Sequence, residues 1–307
     1  MAAACGAAQA KDLRKPASES LPSRTDESLL RDIAALAPQR PGQADLFVLG
    51  VAGDGTEQVF LNEVQHLRAL AAQRLDAGER VLLLANHDTA PLLRRLPLAT
   101  PQNLAAALVA IGAAMDTDED LLLLYITTHG TPEHELLLRR PDVDDHLLAA
   151  PELRQMLDQS GIRHRVLAIS ACFSGGLLPA LRSPDTLVVT AARSDRASFG
   201  CGSESAATYF GRAWLVDGLN ATVDFAQAFD QARTAIEQRE RLEDQEPSLP
   251  QLQQGARIAD RLAQWRRGFQ PGPALPFAYA DPASPALKAA KAGATAPRRP
   301  AETASGQ

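Results

Sequence analysis

Three cysteines in 307 residues are too few for a disulfide framework. Cys5, Cys172 and Cys201 therefore say little about redox compartment; any one of them can be a free thiol, with Cys201, between glycines in a loop, read as structural. Long hydrophobic runs are also missing: no apolar stretch reaches the roughly 20 residues needed to cross a bilayer. A basic balance is missing too. The formal charge is −6 and the pI about 5.6, which excludes a general nucleic-acid binder with an overall basic surface. The paired arginines Arg94-Arg95, Arg139-Arg140 and Arg266-Arg267 are scattered along the chain and read as solvated charge. No repeat of fixed period is present. The N-terminus, MAAACGAAQAK, has neither a basic region nor a long apolar core, so as written it does not read as a secretory signal. Its Ala-Ala-Ala-Cys-Gly does look like the end of a bacterial lipoprotein cleavage box. Two expectations stay open: a lipid-anchored Cys5 in the cell envelope, or an ordinary tail on a cytoplasmic protein.

What is present is enough apolar material, 45% of residues, for one substantial core. Residues 1–26 are rich in Ala, Ser, Lys and Pro, and residues 271–307 are low in large apolar groups. Both are expected to be disordered tails. Residues 27–44 form a linker that can carry a helix, and residues 45–270 form the domain. Within it short apolar runs alternate with amphipathic stretches, the pattern of a mostly parallel sheet covered by helices. Strands are expected over 45–52, 80–86, 120–128, 165–171 and 186–192. Helices are expected over 57–77, 101–115 (Thr100 as N-cap and Pro101 at the first position), 150–159, 204–217 and 223–243. The segment HELLLR, 134–139, is too short for a helix and reads as a small hairpin or edge strand.

Two of these strands end in reactive side chains. LLLLYITTHG stops at His129-Gly130, and RVLAISACFSGG stops at Cys172, with Gly175 and Gly176 close behind. In open parallel sheets ligands bind beyond the carboxyl ends of strands, so the two side chains share a crevice if the strands are neighbours. A cysteine nucleophile needs a group to take its proton and return one to a departing amine, and one imidazole serves both steps. It also needs donors for the developing oxyanion, which backbone N–H groups at strand ends supply. Gly130, without a Cβ, lets the chain turn there. Taken singly, Cys172 reads as a buried core thiol and His129 as a capped strand end. Their equivalent positions on separate strands make the pair the stronger reading.

Other motifs carry less. AGDGTE, 52–57, lacks the full Gly-x-Gly-x-x-Gly pattern and a Walker lysine and reads as a tight-turn loop, although Asp54, just past a strand end, can line a cleft. Ser174 is not in a nucleophile elbow. His134, His146, Asp142, Asp144 and Asp145 match no metal box and read as a solvated loop. No cofactor is expected.

The motifs Thr128-His129-Gly130, Ser170-Ala171-Cys172-Phe173-Ser174-Gly175-Gly176, and TAARSDRASFGCG (190–202) followed by TYFG (208–211) resemble the legumain (C13) family of the caspase-fold cysteine peptidases, bacterial members included. The resemblance spans about residues 45–260. It implies an α/β, caspase-like three-layer sandwich with a mostly parallel central sheet flanked by helices. It further implies a cysteine endopeptidase with Cys172 as nucleophile, His129 as general acid/base, and the N–H groups of Gly130 and Cys172 as oxyanion hole. Asp54, Ser170, Phe173, Arg193, Ser194 and Asp195 fall where substrate would be held, and a peptide or protein would be the partner. Phe173 stands where plant and animal legumains carry an acidic residue, and their Asn-Tyr-Arg stretch is absent, so asparagine selection does not carry over. A transamidase or ligase using the same thioester, and a catalytically silent peptide-binding scaffold, remain alternatives. The sequence names no oligomeric state.

Overall fold

The computed structural model describes residues 26–87, 96–140 and 143–280. Cys5 and its lipoprotein-like context, Arg94, Arg95, Asp142 and the tail from residue 281 lie outside them.

Along the chain run α1 (Glu27–Ala34), β1 (Leu46–Ala52), α2 (Gln58–Gln73), β2 (Val81–Ala85), α3 (Pro101–Ala114), β3 (Leu121–Thr127), β4 (Glu135–Arg140), β5 (Val143–Ala149), α4 (Ala150–Gln159), β6 (His164–Ser170), α5 (Leu178–Leu181), β7 (Thr186–Thr190), α6 (Leu219–Ala221), α7 (Phe225–Leu242), β8 (Gln251–Gln254) and α8 (Ile258–Arg267). Six strands form one sheet in the order β2-β1-β3-β6-β7-β8. All its neighbours are parallel except β7 and β8. The four central strands are buried along their whole length, which is why they read as continuous apolar runs rather than alternating ones.

Helices cover both faces, giving three layers. On one face Phe60, Val64 and Leu67 of α2, Phe225 and Phe229 of α7, and Leu262 and Trp265 of α8 pack against Tyr125, Ala168 and Val189. On the other, Leu29 of α1, Leu104 and Leu108 of α3, and Leu153 and Leu157 of α4 pack against Leu49, Leu124 and Ile169. Helix starts follow local chemistry. Thr100 accepts from Asn103 N–H with Pro101 in the first turn, and Asp224 accepts from the N–H groups of Ala226 and Gln227.

Three features differ from the sequence expectation. The helix expected over 204–217 starts later: Gly211–Gly218 form wide π-type turns, closed by Leu219 N–H reaching back to Trp214 C=O. Edge strand β8, Gln-Leu-Gln-Gln, gives no apolar run to read, because one of its long sides faces outward. The segment 271–280 is extended and packed rather than a free tail. Phe277 meets the His66 ring edge to face, with centroids 5.2 Å apart, Tyr279 OH donates to Gln65 Oε1 at 2.6 Å, and Leu275 N–H donates to Asn220 Oδ1 at 2.7 Å. The hairpin expected near 134–139 is present as β4 paired antiparallel with β5.

Candidate active site

β3 and β6 are direct neighbours, with Thr127 opposite Ser170 in the register. Thr128 N–H continues the ladder to Ser170 C=O at 3.1 Å. His129 and Cys172 each stand two residues beyond that register pair, so the sheet itself brings the two strand ends together. Gly130 lies against the backbone of the cysteine: a Cβ placed on it would overlap the Cys172 carbonyl oxygen and come within 3.3 Å of Ala171 Cβ. Only glycine allows that approach.

The β4–β5 hairpin clamps the two loops on the His129 side. Leu137 N–H donates to His129 C=O at 3.0 Å and Thr131 N–H to Glu135 C=O at 3.0 Å; Arg139 N–H donates to Gly53 C=O at 2.9 Å, and Gly55 N–H to Arg139 C=O at 3.0 Å. Among the described residues the Gly130 N–H has no main-chain acceptor.

The His129 ring stands edge-on to Phe60 of α2, with centroids 5.4 Å apart. Its Nε2 is 3.9 Å from Asp54 Oδ2. Asp54 is buried; its Oδ1 accepts from Thr56 N–H and Oγ1, while Oδ2 has no hydrogen bond among the described residues. Arg139 Nη1 lies 3.5 Å from that same oxygen. Burial lowers the His129 pKa from 6.5, the Asp54 charge pulls it back up, and Arg139 opposes Asp54. Burial, the largest of these influences, thus favours the neutral imidazole.

Cys172 is 3% exposed. Its Sγ accepts from Ser198 N–H at 3.2 Å and lies 3.6 Å from Ser198 C=O. Burial pushes the thiol above its ordinary value of 9.0, and the Ser198 contacts and the cysteine's own N–H pull the other way. Burial thus disfavours the charged form of both side chains, imidazolium and thiolate alike. The chain leaves the cysteine through Phe173, a non-glycine residue at φ 55° whose N–H donates to Arg196 C=O at 2.8 Å. Such a left-handed conformation is uncommon for a bulky residue and clusters at functional sites. A 3-10 turn over Ser174–Leu177 follows. It is one turn long, and a Cβ on Gly176 would overlap the His134 ring.

The other residues singled out from the sequence fall into two groups. Asp54 belongs beside His129. Ser170 is buried two residues below Cys172, its Oγ 3.0 Å from Thr208 Oγ1, so it faces a polar network inside the fold and not an open cleft. Arg193 and Asp195 bind each other at the surface, with Nε to Oδ1 at 2.5 Å and Nη2 to Oδ2 at 2.8 Å, next to exposed Ser194. The polar segment considered for a cation is taken up internally: Arg139 binds Asp145 and His146 Nε2 lies 3.2 Å from Glu152 Oε2. Among the described residues no cluster of three or more metal-ligating side chains occurs. Sequence reading missed Ser198, Phe60 and Arg139. Ser198 lay within the motif already singled out, three residues from the acidic side chain chosen there. Phe60 and Arg139 carried no local signal.

The class is that of a three-layer α/β protein with a mostly parallel central sheet, in which a histidine and a cysteine follow the ends of two neighbouring strands. The sequence pattern of the Peptidase C13 family matches residues 102–258, just over half of the chain, and the protein belongs to that family of cysteine peptidases. Comparison with curated proteins gives no match. Among solved structures, the crystal structure of caspase-1 from Spodoptera frugiperda is similar at 12% identity, covering 72% of this chain and 88% of that one, with a TM-score of 0.47.

Proposed function

We propose that the protein is a cysteine endopeptidase with Cys172 as nucleophile and His129 as general acid/base. The observation that carries this reading is the Thr127–Ser170 register, which sets the two side chains at equivalent places on adjacent parallel strands with Gly130 against the Cys172 backbone. The substrate is a peptide or protein segment.

In the reaction the Cys172 thiol gives its proton to His129 as sulfur attacks the scissile carbonyl carbon and a C–S bond forms. The N–H groups of Gly130 and Cys172 stabilise the oxyanion; one such donor is worth about 10²–10³ in kcat. Collapse breaks the C–N bond, and His129 returns the proton to the departing amine. Water then attacks the thioester carbon and gives a proton to His129; the C–S bond breaks, the carboxylic acid product leaves, and His129 returns the proton to sulfur, restoring the thiol. Because burial disfavours both thiolate and imidazolium, proton transfer accompanies attack instead of preceding it. Asp54 orients the ring and stabilises the imidazolium that forms, and Arg139 limits how far that stabilisation goes. Arg193, Ser194 and Asp195, on the surface loop beyond Phe173, contact flanking substrate residues.

A positional-scanning peptide library tests the reading: turnover by the native protein, and a loss of at least about 10³-fold in Cys172→Ala, are expected. Peptides cleaved equally by both would sink it. One observation favours a second reading, a silent peptide-binding scaffold: the thiol is almost fully covered, with its sulfur turned to Ser198. That reading predicts peptide binding without turnover and unchanged behaviour in Cys172→Ala. A transamidase would instead yield ligated product when an amine is offered.

A further inference from the structure

Glu63 of α2 is a wholly buried carboxyl that the proposed chemistry does not use. Its Oε2 accepts from Tyr125 OH at 2.7 Å and from Thr127 Oγ1 at 2.6 Å. Its Oε1 accepts from Thr208 N–H at 2.7 Å. Thr208 Oγ1 in turn accepts from Gly211 N–H at 2.8 Å and lies 3.0 Å from Ser170 Oγ. A Cβ on Gly211 would overlap the Glu63 carboxyl, so the wide turns begin at the one residue that leaves room for it.

The positions in the register give this network its meaning. Thr127 and Ser170 are the last register pair between β3 and β6, and His129 and Cys172 follow each by two residues. Side chains two apart on a strand share a face, so the hydroxyls tied together by Glu63 and Thr208 lie one step below the reactive pair. Tyr125, two residues earlier still, stacks on Trp214 with rings 6.1 Å apart and 5° from parallel. A carboxyl in an apolar core is costly unless its oxygens are matched by hydrogen-bond partners. Here the partners are neutral donors from a strand and from the loop entering the wide turns.

We infer that Glu63 is a positioning residue: through Thr127 on one strand and Thr208–Ser170 on the other it fixes the spacing of the two strand ends, and with it the approach of His129 and Gly130 to Cys172. This rests on the peptidase reading for its kinetic readout. The role is one of bonding geometry and not of charge. Glutamine keeps the shape, its carbonyl oxygen facing the fixed Thr208 N–H and its amide facing hydroxyls that can rotate to accept. Alanine leaves that N–H unsatisfied and frees the strand ends.

The test compares Glu63→Gln, Glu63→Ala and the milder Thr127→Val, each measured well below its own unfolding midpoint. Two readouts are taken: steady-state peptide hydrolysis, and the rate of Cys172 alkylation by iodoacetamide across pH, which needs no turnover. Glu63→Gln is expected within about threefold of the native kcat. Glu63→Ala is expected to lose at least tenfold in kcat with KM within about threefold, and to shift the pH midpoint of Cys172 alkylation; Thr127→Val is expected to lose about three- to tenfold in kcat. If Glu63→Ala does not fold, Glu63→Gln and Thr127→Val decide. Native kcat and an unmoved alkylation profile in Glu63→Ala or Thr127→Val overturn the inference, whatever happens to the melting temperature. Equal kcat losses in Glu63→Gln and Glu63→Ala also overturn it, because charge and not bonding geometry would then matter. If the native protein turns over no peptide, the peptidase reading fails, and the alkylation profiles alone decide the role of Glu63.

Discussion

At the scale of single residues, the electrostatics around His129 set a pH profile. Burial holds the imidazole below 6.5, so the acid limb of kcat/KM, which reports the free enzyme, is expected below that pH. Cys172 titrates above 9.0, so the profile should be broad and flat between. Asp54 raises the His129 pKa and Arg139 lowers it. Asp54→Asn should therefore move the acid limb to lower pH and cut kcat/KM about tenfold through loss of ring orientation, whereas Arg139→Gln should move the limb to higher pH. Limbs that shift together in the two variants would remove Asp54 from its role. The Asp54 and Ser198 contacts illustrate the limit of reading residues one at a time. Asp54 was visible as a polar residue past a strand end, but what it faces depends on a loop seventy-five positions away in sequence.

At the scale of elements, two strand ends and one hairpin make the site. Gly130→Ala forces a Cβ into the Cys172 carbonyl oxygen, and overpacking of this kind costs about 1–3 kcal/mol. A lower melting temperature together with a loss of turnover well below it is expected; a fully active, equally stable Gly130→Ala would show that the two main chains need not be so close. The strap over α2 gives a second prediction. His66 packs against Phe277 with its Nε2 unbonded among the described residues. Burial first, then Arg212, lowers its pKa to about 4, with Asp217 opposing. A histidine whose folded pKa is depressed contributes stability that is complete above 6.5 and is lost as pH falls through about 4. Amide exchange over 271–280 should accelerate across that window, and His66→Phe should flatten the response. Phe277→Ala, at a half-buried position, should cost about 1 kcal/mol. The strap itself escapes sequence reading because Pro and Ala dominate it: its anchors, Leu275, Phe277 and Tyr279, recur every second residue, but prolines interrupt the run and no turn signal pairs it with a strand.

At the scale of the whole molecule, the order β2-β1-β3-β6-β7-β8 makes β3 and β6 neighbours, and everything proposed for the site follows from that adjacency. The five parallel strands were legible because burial on both sides forces uninterrupted apolar runs, and the helices between them because the crossovers must cover two faces. β8 was not legible, since an edge strand exposed along one side needs no apolar run. The late start and wide turns after residue 210 were not legible either, because Gly211 yields to a carboxyl 148 positions earlier. Cys172→Ala should leave the melting temperature within a few degrees, since one small buried group is lost from a core of two large clusters; a collapse of the fold would mean that the thiol is chiefly structural.

By itself the sequence determined the alternation of strand and helix, the chemistry available at two strand ends, and the glycine beside one of them, all of which depend on residue type and near-neighbour spacing. The tertiary structure alone decided that the two ends adjoin in register, that Asp54 and Arg139 oppose each other at the imidazole, that Ser198 covers the thiol, and that Glu63 ties the floor beneath them. Those contacts join segments far apart in the chain. No local pattern encodes them, because burial and hydrogen bonding act on what packing brings together.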